Sequence, residues 1–371
     1  MYKNNPYRII ISGGGTGGHI FPALSIANEI KSRHPDALIL FIGAENRMEM
    51  KTVPDAGYPI TGLPVAGFDR KNPFKNISVL FKLCKSLYQA KGIVKAFRPN
   101  IVIGVGGYAG GPTLRAAAKQ GIPTLIQEQN SYAGLTNKLL AKQAVKICVA
   151  YEGMEQFFPS AKIVLTGNPV RQNLTYSPEK RSEACRYFKL DPAKKTILIT
   201  GGSLGALTIN RSVLASLDKI RESEIQFIWQ TGKYYYRPII SYVAKTENLH
   251  ITEFINRMDL AFAAADLIIS RAGAGSISEF CLLGKAVILV PSPNVAEDHQ
   301  TKNAQALVRK KAALLIPDRE AVERLLPEAL RVIRNNALLG ELRTNISQMA
   351  LPNAAAKIVD EVDKILYSNK K

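Results

Sequence analysis

The chain has 371 residues, 46% of them hydrophobic, so it can bury more than one core, and two domains are the expected arrangement. Its four cysteines lie far apart and form no C-x-x-C pair, which argues against a zinc site or a disulfide framework and fits a reducing compartment. The formal net charge of +19 calls for an anionic partner, and the sequence contains neither a signal-peptide core nor an apolar run long enough to cross a bilayer.

Strand-like apolar runs alternate with helical patterns along almost the whole chain, which predicts a parallel α/β architecture. In the first half the predicted strands are Arg8–Ile11, Leu38–Ile42, Ile101–Gly104, Thr124–Gln127, Ile147–Ala150 and Ile163–Thr166. In the second half they are Thr196–Thr200, Gln226–Gln230, His250–Phe254, Leu267–Ser270, Ala286–Val290 and Ala313–Ile316.

A glycine-rich turn, residues 13–18, follows the first predicted strand and precedes a helix predicted over Ala23–Ile30. Glycines at such a turn let the backbone approach a ligand closely, and the N–H groups of a helix start favour an anion. His19 ends the turn, where the helix start favours a neutral imidazole that can accept a proton. The turn is therefore predicted to hold a phosphorylated ligand next to a general base. The alternative is that His19 only bonds the backbone of the loop.

The same turn fits the dinucleotide fingerprint G-x-G-x-x-G, with Glu45 as the acidic residue, so an NAD-dependent oxidoreductase is an alternative. The recurrence of glycine-rich turns argues against that alternative. Residues 104–111 contain five glycines between a predicted strand and a predicted helix, and residues 201–205 open the second series of strands in the same way. Several such turns predict more than one phosphate or pyrophosphate site.

The segment Ile77–Phe97 is predicted to be a helix, and no acidic residue occurs from Arg70 to Gln127. Its predicted core stripe consists of Leu80, Leu83, Leu87, Val94 and Phe97. A second apolar edge lies beside lysines, a pattern typical of peripheral binding to an anionic membrane. This predicted membrane edge consists of Phe74, Ile77, Phe81, Lys85 and Tyr88. The alternative is a wide core stripe with solvated lysines.

Two segments of the second half carry candidate sugar-binding side chains. Residues 270–279 start a helix whose small residues leave its N-terminus open to an anion. Glu279, one turn further on, either accepts hydrogen bonds from sugar hydroxyls or complements the helix dipole. Residues 297–304 mix donors and acceptors, which suits either polyhydroxyl recognition or an ordinary capped helix.

The two series of strands open alike, which predicts two Rossmann-like, doubly wound parallel sheets that face each other across a cleft. Residues 1–167 are predicted to form the first domain and residues 168–353 the second. A helix within residues 354–371 is expected to pack back on the first domain.

In their order and combination, several motifs resemble the MurG-type family of N-acetylglucosaminyl transferases over nearly the whole chain. The motifs are GGTGGHIFP at 14–22, GGY at 106–108, EQN at 128–130, AGLTNK at 133–138, GNPVR at 167–171, GGS at 201–203, TEFI at 252–255 and the surroundings of Glu279 and Gln300. The resemblance implies a GT-B fold. It also implies that the second domain mainly holds UDP-N-acetylglucosamine and that the first holds lipid I, an undecaprenyl-pyrophosphoryl-N-acetylmuramoyl-pentapeptide.

The resemblance further implies roles for individual residues. The implied donor-binding residues are Thr16, Gly17, Gly18, Asn130, Arg171, Ser203, Ile255, Ala274, Gly275, Ser276, Ile277, Ser278, Glu279 and Gln300. The implied acceptor-binding residues are Gly14, Gly15, Gly106, Gly107 and Tyr108. Ile255 is implied to meet the uracil through its backbone, Glu279 to bind the ribose and Gln300 the sugar. The chain departs from the family pattern at Ala272, where a serine is common, and at Gly275, where a larger residue is usual.

The implied reaction is a single in-line displacement that inverts the anomeric carbon and joins N-acetylglucosamine to the C4 hydroxyl of lipid I. Its product, lipid II, serves peptidoglycan synthesis and thereby cell shape and division. His19 is the first candidate for the base and Glu128 the second. Helix N-termini and Arg171 are expected to stabilise the departing UDP, and because no D-x-D motif occurs, neither a metal nor another cofactor is expected.

The resemblance implies peripheral attachment to the cytoplasmic face of the inner membrane, with other cell-wall synthesis proteins as further candidate partners. The second candidate function is a UDP-N-acetylglucosamine epimerase of the same fold, which shares the donor loops but needs no lipid-facing edge. A nucleic-acid-binding protein would explain the net charge of +19, but the basic half shows neither an aromatic stacking platform nor a reading helix, so nucleic acid is not an expected partner.

Overall fold

The computed structural model describes residues 6–66, 75–170, 174 and 177–368. The chain divides into two compact units, Met1–Val170 with Leu351–Lys371, and Arg171–Ala350. The predicted boundaries, 167/168 and 353/354, lie close to these divisions. The first unit is therefore assembled from both ends of the chain, whereas the second is one continuous segment.

Each unit contains one parallel sheet. The strands of the first unit are β1 (Arg8–Ser12), β2 (Leu38–Ala44), β3 (Ile60–Leu63), β4 (Ile101–Gly104), β5 (Thr124–Glu128), β6 (Lys146–Val149) and β7 (Ile163–Leu165). Those of the second are β8 (Thr196–Thr200), β9 (Gln226–Gln230), β10 (Leu249–Thr252), β11 (Leu267–Ser270), β12 (Ala286–Leu289) and β13 (Leu314–Leu315). The strand orders are β3-β2-β1-β4-β5-β6-β7 and β10-β9-β8-β11-β12-β13, with every pair parallel.

Helices connect the strands, as parallel pairing requires. They are α1 (Gly17–Arg33), α2 (Glu49–Asp55), α3 (Lys75–Phe97), α4 (Gly110–Lys119), α5 (Leu135–Leu140), α6 (Pro178–Phe188), α7 (Leu207–Leu214), α8 (Leu217–Arg221), α9 (Tyr236–Tyr242), α10 (Met258–Ala264), α11 (Ala274–Leu283), α12 (His299–Val308), α13 (Ala321–Arg334), α14 (Asn336–Ser347) and α15 (Ala354–Ser368).

The first sheet is buried on both faces, which explains why its strands are runs of apolar residues rather than alternating patterns. Ile9 and Ile11 of β1 belong to the core under α1 and α15, while Ile10 belongs to the core on the other face, with residues of α3, α4 and α5. All three isoleucines are fully buried. The second sheet buries Phe227 and Trp229 of β9 in a core with α7 and α13.

Helix α15 completes the first unit by packing beside α1. Its apolar side chains, including Ile358, Val362 and Leu366, share a core with β1 and α1. At the end of α1, Arg33 Nη1 lies 2.6 Å from Asp360 Oδ1. The next residue, His34, lies with Nε2 2.7 Å from Asp363 Oδ1. The apolar face of α15 and the polar contacts of Arg33 and His34 at its rim together fix this helix on the first unit.

Several element bounds differ from the predictions, most of them by one or two residues. The strand Ile60–Leu63 was not predicted, because it is short, contains Gly62 and lies at the sheet edge, where most of its side chains are only half-buried. The first helix begins at Gly17 rather than Ala23, so the second half of the glycine-rich turn is already helical. The predicted strand His250–Phe254 is instead Leu249–Thr252.

The predicted core stripe of α3 is confirmed in part, because Val94 is buried and Leu83, Leu87 and Phe97 are half-buried. Val79, Ser86, Ala90 and Val94 are the buried residues of this helix, and Leu80, predicted to lie in the core, is 56% exposed. Small residues at buried positions bring α3 close to the sheet, and the larger Leu80 is left on the outer side. The prediction for Leu80 was therefore wrong. Phe74 lies outside the described residues, and of Ile77 only the helical backbone is described.

Within the part of the chain that the structure describes, no helix combines the length and apolar character needed to span a bilayer.

Candidate active site

Several apolar strands end in a polar residue at their carboxyl ends. Ser12, Glu128, Thr200, Gln230 and Ser270 are the last residues of β1, β5, β8, β9 and β11. In parallel sheets of this kind, ligands bind beyond the carboxyl ends of the strands. Each unit thus has one sheet edge at which polar groups and glycine-rich loops meet.

Two glycine loops of the first unit touch backbone to backbone. A Cβ atom on Gly107 would lie 2.3 Å from the Gly14 carbonyl oxygen, and one on Gly13 would lie 2.4 Å from Val105 Cγ2. Gly15 and Gly107 also have φ values of 89° and 85°, which larger residues rarely adopt. Side chains at these positions would separate the loops, so the glycines are required for the loops to form one surface.

His19 lies in the first turn of α1, where Thr16 is the N-cap residue. Its Nδ1 is 3.1 Å from the Gly14 carbonyl oxygen and 3.2 Å from Thr16 Oγ1. Because a carbonyl oxygen can only accept, Nδ1 carries the proton of the neutral ring and Nε2 keeps a lone pair. A Cβ atom on Gly106 would lie 2.9 Å from Nε2, so His19 packs directly against the second glycine loop.

Glu128, the other candidate for the base, is buried and hydrogen-bonded by its own loop. Its Oε1 accepts from Asn130 N at 3.1 Å and from Asn130 Nδ2 at 3.3 Å. Its Oε2 accepts from Gly134 N at 3.0 Å and from Asn137 Nδ2 at 2.8 Å. The carboxylate therefore orders residues 128–137 and fixes Asn130, an implied donor-binding residue.

Sequence reasoning missed Glu49, which is only 1% exposed and lies against the first glycine loop. Its Oε1 accepts from Gly15 N at 2.9 Å and from Ala44 N at 3.0 Å. Its Oε2 is buried and has no hydrogen-bond partner within the described residues. Nothing in the local sequence distinguishes Glu49 from a solvated residue at a helix start, because Gly15 comes from a loop 34 residues away along the chain.

The glycine loop of the second unit, residues 201–205, approaches the end of β9 just as closely. A Cβ atom on Gly205 would lie 2.1 Å from the Thr231 carbonyl oxygen, and Gly205 has a φ of 82°. Ser203 is exposed at the tip of this loop, where its hydroxyl can reach a phosphate. The loop therefore presents the predicted phosphate contact on a backbone that only glycine permits.

Helix α11 presents an open N-terminus at the same sheet edge. Gly273 is the N-cap residue, no side chain caps the helix, and a Cβ atom on Gly273 or Gly275 would meet nothing within 4 Å. The first-turn N–H groups of Ala274, Gly275 and Ser276 thus border open space, which suits an anion. Further along, Ile277 is buried and Ser278 Oγ donates to the Ala274 carbonyl oxygen at 3.1 Å, while Glu279 is largely buried.

Gln300 lies in the first turn of α12 and connects two loops of the second unit. Its Oε1 accepts from Ser292 N at 2.8 Å and from Ala272 N at 3.2 Å. The side-chain oxygen is thereby held by the backbone at the start of the α11 segment. Asp298 is the N-cap residue of α12, and its side chain does not accept a hydrogen bond from a backbone N–H of the first turn. The alternative of an ordinary helix capped by a side chain therefore does not apply to this segment.

Gln230 is a second residue that sequence reasoning missed. Its Oε1 accepts from Ile255 N at 3.0 Å, and its Nε2 donates to the Gly202 carbonyl oxygen at 3.0 Å. The predicted nucleobase-contacting residue and the predicted phosphate loop are therefore joined through one side chain. The N–H of Ile255 is occupied by Gln230 in this structure. The sequence feature that could have indicated Gln230 is a polar residue at the carboxyl end of an otherwise apolar strand.

The remaining predicted residues are placed as follows. Gly15, Thr16, Gly18 and Tyr108 are exposed, Gly17 and Gly107 are half-buried, and Gly14 and Gly106 are buried. Arg171 lies outside the described residues. The first unit thus brings His19 together with Gly14, Gly106 and Gly107, and the second brings Ser203 together with Ile255.

The sequence matches two family descriptions, one for each unit. Residues 9–149 match the glycosyltransferase family 28 N-terminal domain, and residues 196–361 match the glycosyltransferase family 28 C-terminal domain. These matches cover both glycine-rich sheet edges described above.

Curated relatives match over almost their full length. A Bacteroides fragilis protein is 62% identical over 367 residues, which are 98% of this chain and 97% of the relative. A Phocaeicola vulgatus protein is 64% identical over 367 residues, 98% of each chain. Both relatives are named UDP-N-acetylglucosamine–N-acetylmuramyl-(pentapeptide) pyrophosphoryl-undecaprenol N-acetylglucosamine transferase.

Solved structures resemble the fold at two levels of identity. The crystal structure of MurG from Acinetobacter baumannii is 30% identical, covers 97% of this chain and 100% of that chain, and gives a TM-score of 0.80. A UDP-GlcNAc 2-epimerase from Neisseria meningitidis, bound to UDP-GlcNAc, is 15% identical with a TM-score of 0.67 over 96% of this chain and 100% of that chain. At that identity the epimerase shows a shared fold alone.

Proposed function

The chain belongs to the family of UDP-N-acetylglucosamine–N-acetylmuramyl-(pentapeptide) pyrophosphoryl-undecaprenol N-acetylglucosamine transferases, and we infer from this that it makes lipid II. It transfers N-acetylglucosamine from UDP-N-acetylglucosamine to the C4 hydroxyl of the N-acetylmuramoyl sugar of lipid I. The fold is GT-B, built from two Rossmann-like units. The epimerase alternative is not favoured, because the epimerase likeness rests on 15% identity against 62% for the transferases.

The observation that best supports this chemistry is the placement of His19 between two glycine loops of the first unit. Backbone-only surfaces such as Gly14 against Gly107 can hold a pyrophosphate without side-chain obstruction. Beside them, the Nε2 atom of His19 has the lone pair that a base needs to accept the proton of the C4 hydroxyl. We assign the base to His19 rather than to Glu128, because the Glu128 carboxylate already accepts hydrogen bonds from Asn130, Gly134 and Asn137.

The second unit supplies the groups suited to the donor. As UDP departs, negative charge grows on its diphosphate, and the open N-terminus of α11 presents N–H groups and a positive dipole end that stabilise such charge. Ser203 adds a hydroxyl, and Arg171 is assigned a cationic role from its position in the family motif. The remaining donor and acceptor residues keep the roles that the resemblance implies. We propose that these groups replace a divalent metal, so that transfer needs no cofactor.

The assay incubates the protein with radiolabelled UDP-N-acetylglucosamine and lipid I, with and without a chelator, and measures labelled lipid. We expect labelled lipid II in both conditions. In His19→Ala, turnover should fall by a factor of about 10² or more, while UDP affinity should change little. His250→Ala is the matched control, since His250 is exposed at the edge of the second unit. Normal turnover in His19→Ala would remove the base assignment, and a requirement for added metal would remove the metal-free proposal.

We further propose that α3 holds the protein on the cytoplasmic face of the inner membrane. Phe81 and Tyr88 are 74% and 81% exposed, and exposed Lys82 and Lys85 lie beside them with Leu80. Exposed apolar side chains with a lysine rim favour an anionic bilayer surface, with about 1 kcal/mol for each basic residue near the surface. Other cell-wall synthesis proteins stay predicted partners.

Sedimentation with vesicles that contain anionic lipid tests the membrane proposal. Tyr88→Ser should reduce the bound fraction, whereas Tyr242→Ser, at a side chain 77% exposed in the second unit, should not. A combined Phe81→Ser and Tyr88→Ser variant should lower binding further. Equal binding of this double variant and the unaltered protein would contradict the role of α3.

A further inference from the structure

One peptide group connects Glu49 with His19. The N–H of Gly15 donates to Glu49 Oε1 at 2.9 Å, and the carbonyl of Gly14, at the other end of the same peptide plane, accepts from His19 Nδ1 at 3.1 Å. Carboxylate, peptide and imidazole thus form a continuous hydrogen-bonded chain. The imidazole Nε2, at the far end of that chain, is the atom assigned to the transfer step.

The carboxylate is held rigidly in this position. A Cβ atom on Gly14 would lie 2.2 Å from Glu49 Oε1, and one on Gly43 would lie 2.7 Å from Glu49 Cγ. Two glycines therefore make room for the side chain of Glu49: Gly14 in the first glycine loop and Gly43 in β2. The Ala44 N–H, 3.0 Å from Oε1, adds a second fixed donor.

A structural role alone does not account for a charged group here. The N–H groups of Gly15 and Ala44 need an acceptor, which a neutral amide oxygen would supply equally well. A buried carboxylate costs more free energy than an amide, and Oε2 of Glu49 is buried without a partner among the described residues. The charge itself therefore calls for an explanation.

The physical effect of the charge is to polarise the peptide. An ionised acceptor makes a hydrogen bond roughly twice as strong as a neutral one, and bonds in a chain strengthen one another. Electron density moves towards the Gly14 carbonyl oxygen, which becomes a better acceptor for the Nδ1–H of His19. The Nδ1–H tautomer is then favoured, and with it the lone pair on Nε2 and the imidazolium formed when that atom takes a proton.

We propose that Glu49 is a positioning residue, which acts through the Gly14–Gly15 peptide to fix the tautomer and orientation of His19. The arrangement corresponds to a carboxylate–histidine pair with a peptide group interposed. The proposal rests on the proposed role of His19 as the base. It adds to that role a remote carboxylate that contacts neither substrate.

Kinetics in two backgrounds test whether Glu49 acts through His19. Glu49→Gln keeps an oxygen for both N–H groups and removes the charge, so we expect kcat to fall about tenfold with KM for UDP-N-acetylglucosamine unchanged. Glu49→Ala also removes the acceptor, and kcat should fall by about 10². In a His19→Ala background, Glu49→Gln should change the residual rate by less than about twofold, because coupled residues are not additive. Equal losses in both backgrounds would overturn the proposal.

A spectroscopic measurement needs no substrate. Long-range ¹H–¹⁵N spectra in alkaline buffer report which ring nitrogen carries the proton, and the His19 signals are those absent from His19→Ala. We expect a pure Nδ1–H tautomer in the unaltered protein and in Glu49→Gln, and a mixture in Glu49→Ala. An unchanged tautomer in folded Glu49→Ala would overturn the proposal. Should Glu49→Ala fail to fold, the Glu49→Gln kinetics decide the question.

The two readouts separate this inference from the function on which it rests. If His19→Ala turned over normally, the base assignment would fail, and the tautomer spectra would still report whether Glu49 fixes the ring. If His19→Ala were inactive and Glu49→Gln kept full kcat, the base would stand and the role of Glu49 would be rejected.

Discussion

Gln230 links two donor-side loops that are separate in sequence. Besides its bonds to Ile255 N and the Gly202 carbonyl, its Nε2 lies 3.3 Å from Thr200 Oγ1. A residue with this pattern determines the spacing between the segment predicted to meet uracil and the loop predicted to meet phosphate. Its effect should therefore appear in nucleotide affinity rather than in the chemical step.

Gln230→Leu should weaken UDP binding about tenfold, because at least one hydrogen bond of about 1 kcal/mol is lost and two loops lose their common anchor. Titration calorimetry with UDP measures the change in Kd. Gln226→Leu is the matched control. Gln226 lies at the opposite end of the same strand, where it bonds Asp191 and Thr196, so its loss should leave UDP affinity unaltered. An unchanged Kd in Gln230→Leu would reject the anchoring role.

Lys285 is a buried cation among other cations in the second unit. Its Nζ donates to the Ala265 carbonyl oxygen at 2.8 Å, and the neighbouring Asp266 also pairs with Arg181 and Arg343. Burial lowers the pKa of Lys285 from 10.5 to about 8; the charge of Asp266 opposes this shift, while Arg343 and Arg181 reinforce it. The folded state therefore disfavours the charged ammonium.

The free energy of unfolding should consequently rise between about pH 8 and pH 10.5, because in this window the unfolded chain binds more protons at Lys285 than the folded chain does. Lys285→Met removes that contribution. The stability difference between variant and unaltered protein should shift by about 3 kcal/mol from pH 7 to pH 10.5, measured by urea unfolding. The exposed Lys219→Met serves as the control, and a pH-independent difference for Lys285→Met would contradict the prediction.

At the residue scale, the sequence predicted the groups whose chemistry is local. Gly14 and Gly107 were identified from their position between a strand and a helix, and His19 from its place at a helix start. Glu49 and Gln230 were not, because their roles arise from backbone groups brought close by the fold. An acid in a helix start and an amide at a strand end have many structural uses, and only the tertiary contacts select one.

At the scale of elements, the packing of α15 on β1 and α1 is expected to contribute strongly to the stability of the first unit. Ile358 of this helix is fully buried against β1 and α1. Ile358→Ala should lower the free energy of unfolding of the first unit by about 2–5 kcal/mol, as expected for a large-to-small change in a core. Ile240→Ala, at a half-exposed position in α9, should cost no more than about 0.5 kcal/mol. Urea titration of both variants checks the comparison, and equal losses would contradict the packing role of α15.

Strands and helices with a strong hydrophobic pattern were predicted well. Short strands, and helices with apolar residues on more than one face, were not. The fully buried strand Thr196–Thr200 has the predicted bounds, whereas the edge strand Ile60–Leu63 carries too weak an apolar signal in four residues. Helix α3 has apolar residues around much of its circumference, so periodicity could not decide which of them face the sheet. Val79 faces inward and Leu80 outward, a choice made by the close packing of Ala90 and Val94 against the sheet.

At the scale of the whole molecule, the two units differ in chain continuity. Residues 171–350 form an uninterrupted unit with its own core, whereas the first unit requires residues 351–371. We expect a polypeptide of residues 171–350 to unfold cooperatively on its own. Residues 1–170 alone should not, since the strand face covered by α15 would be exposed. Calorimetric unfolding of the two fragments tests this expectation.

The close approach of Gly167 and Leu351 suggests how the first unit could be made without the second. A Cβ atom on Gly167 would lie 2.6 Å from Leu351 Cβ, so the two segments that flank the second unit are neighbours. Joining residue 170 to residue 351 through a flexible linker of about ten residues should restore cooperative unfolding to the first unit. The same linked chain carrying Ile358→Ala should unfold at lower urea concentration. A linked chain as unstable as residues 1–170 alone would show that the first unit depends on the second.

The two-unit organisation was recognisable from the sequence because the strand–glycine turn–helix pattern occurs at the start of both halves. The point at which each unit ends was harder to predict. The division after Val170 follows the Gly167–Leu351 contact, a pairing of residues far apart along the chain that leaves no local mark.

The order of the chain also constrains how the protein is made. Helix α15, which packs on the first sheet beside α1, is translated only after the roughly 180 residues of the second unit, which take about 10–40 seconds. During that interval α1, but not yet α15, covers the sheet face that contains Ile9 and Ile11 of β1. The first unit can thus reach its complete fold only after the second unit has been synthesised.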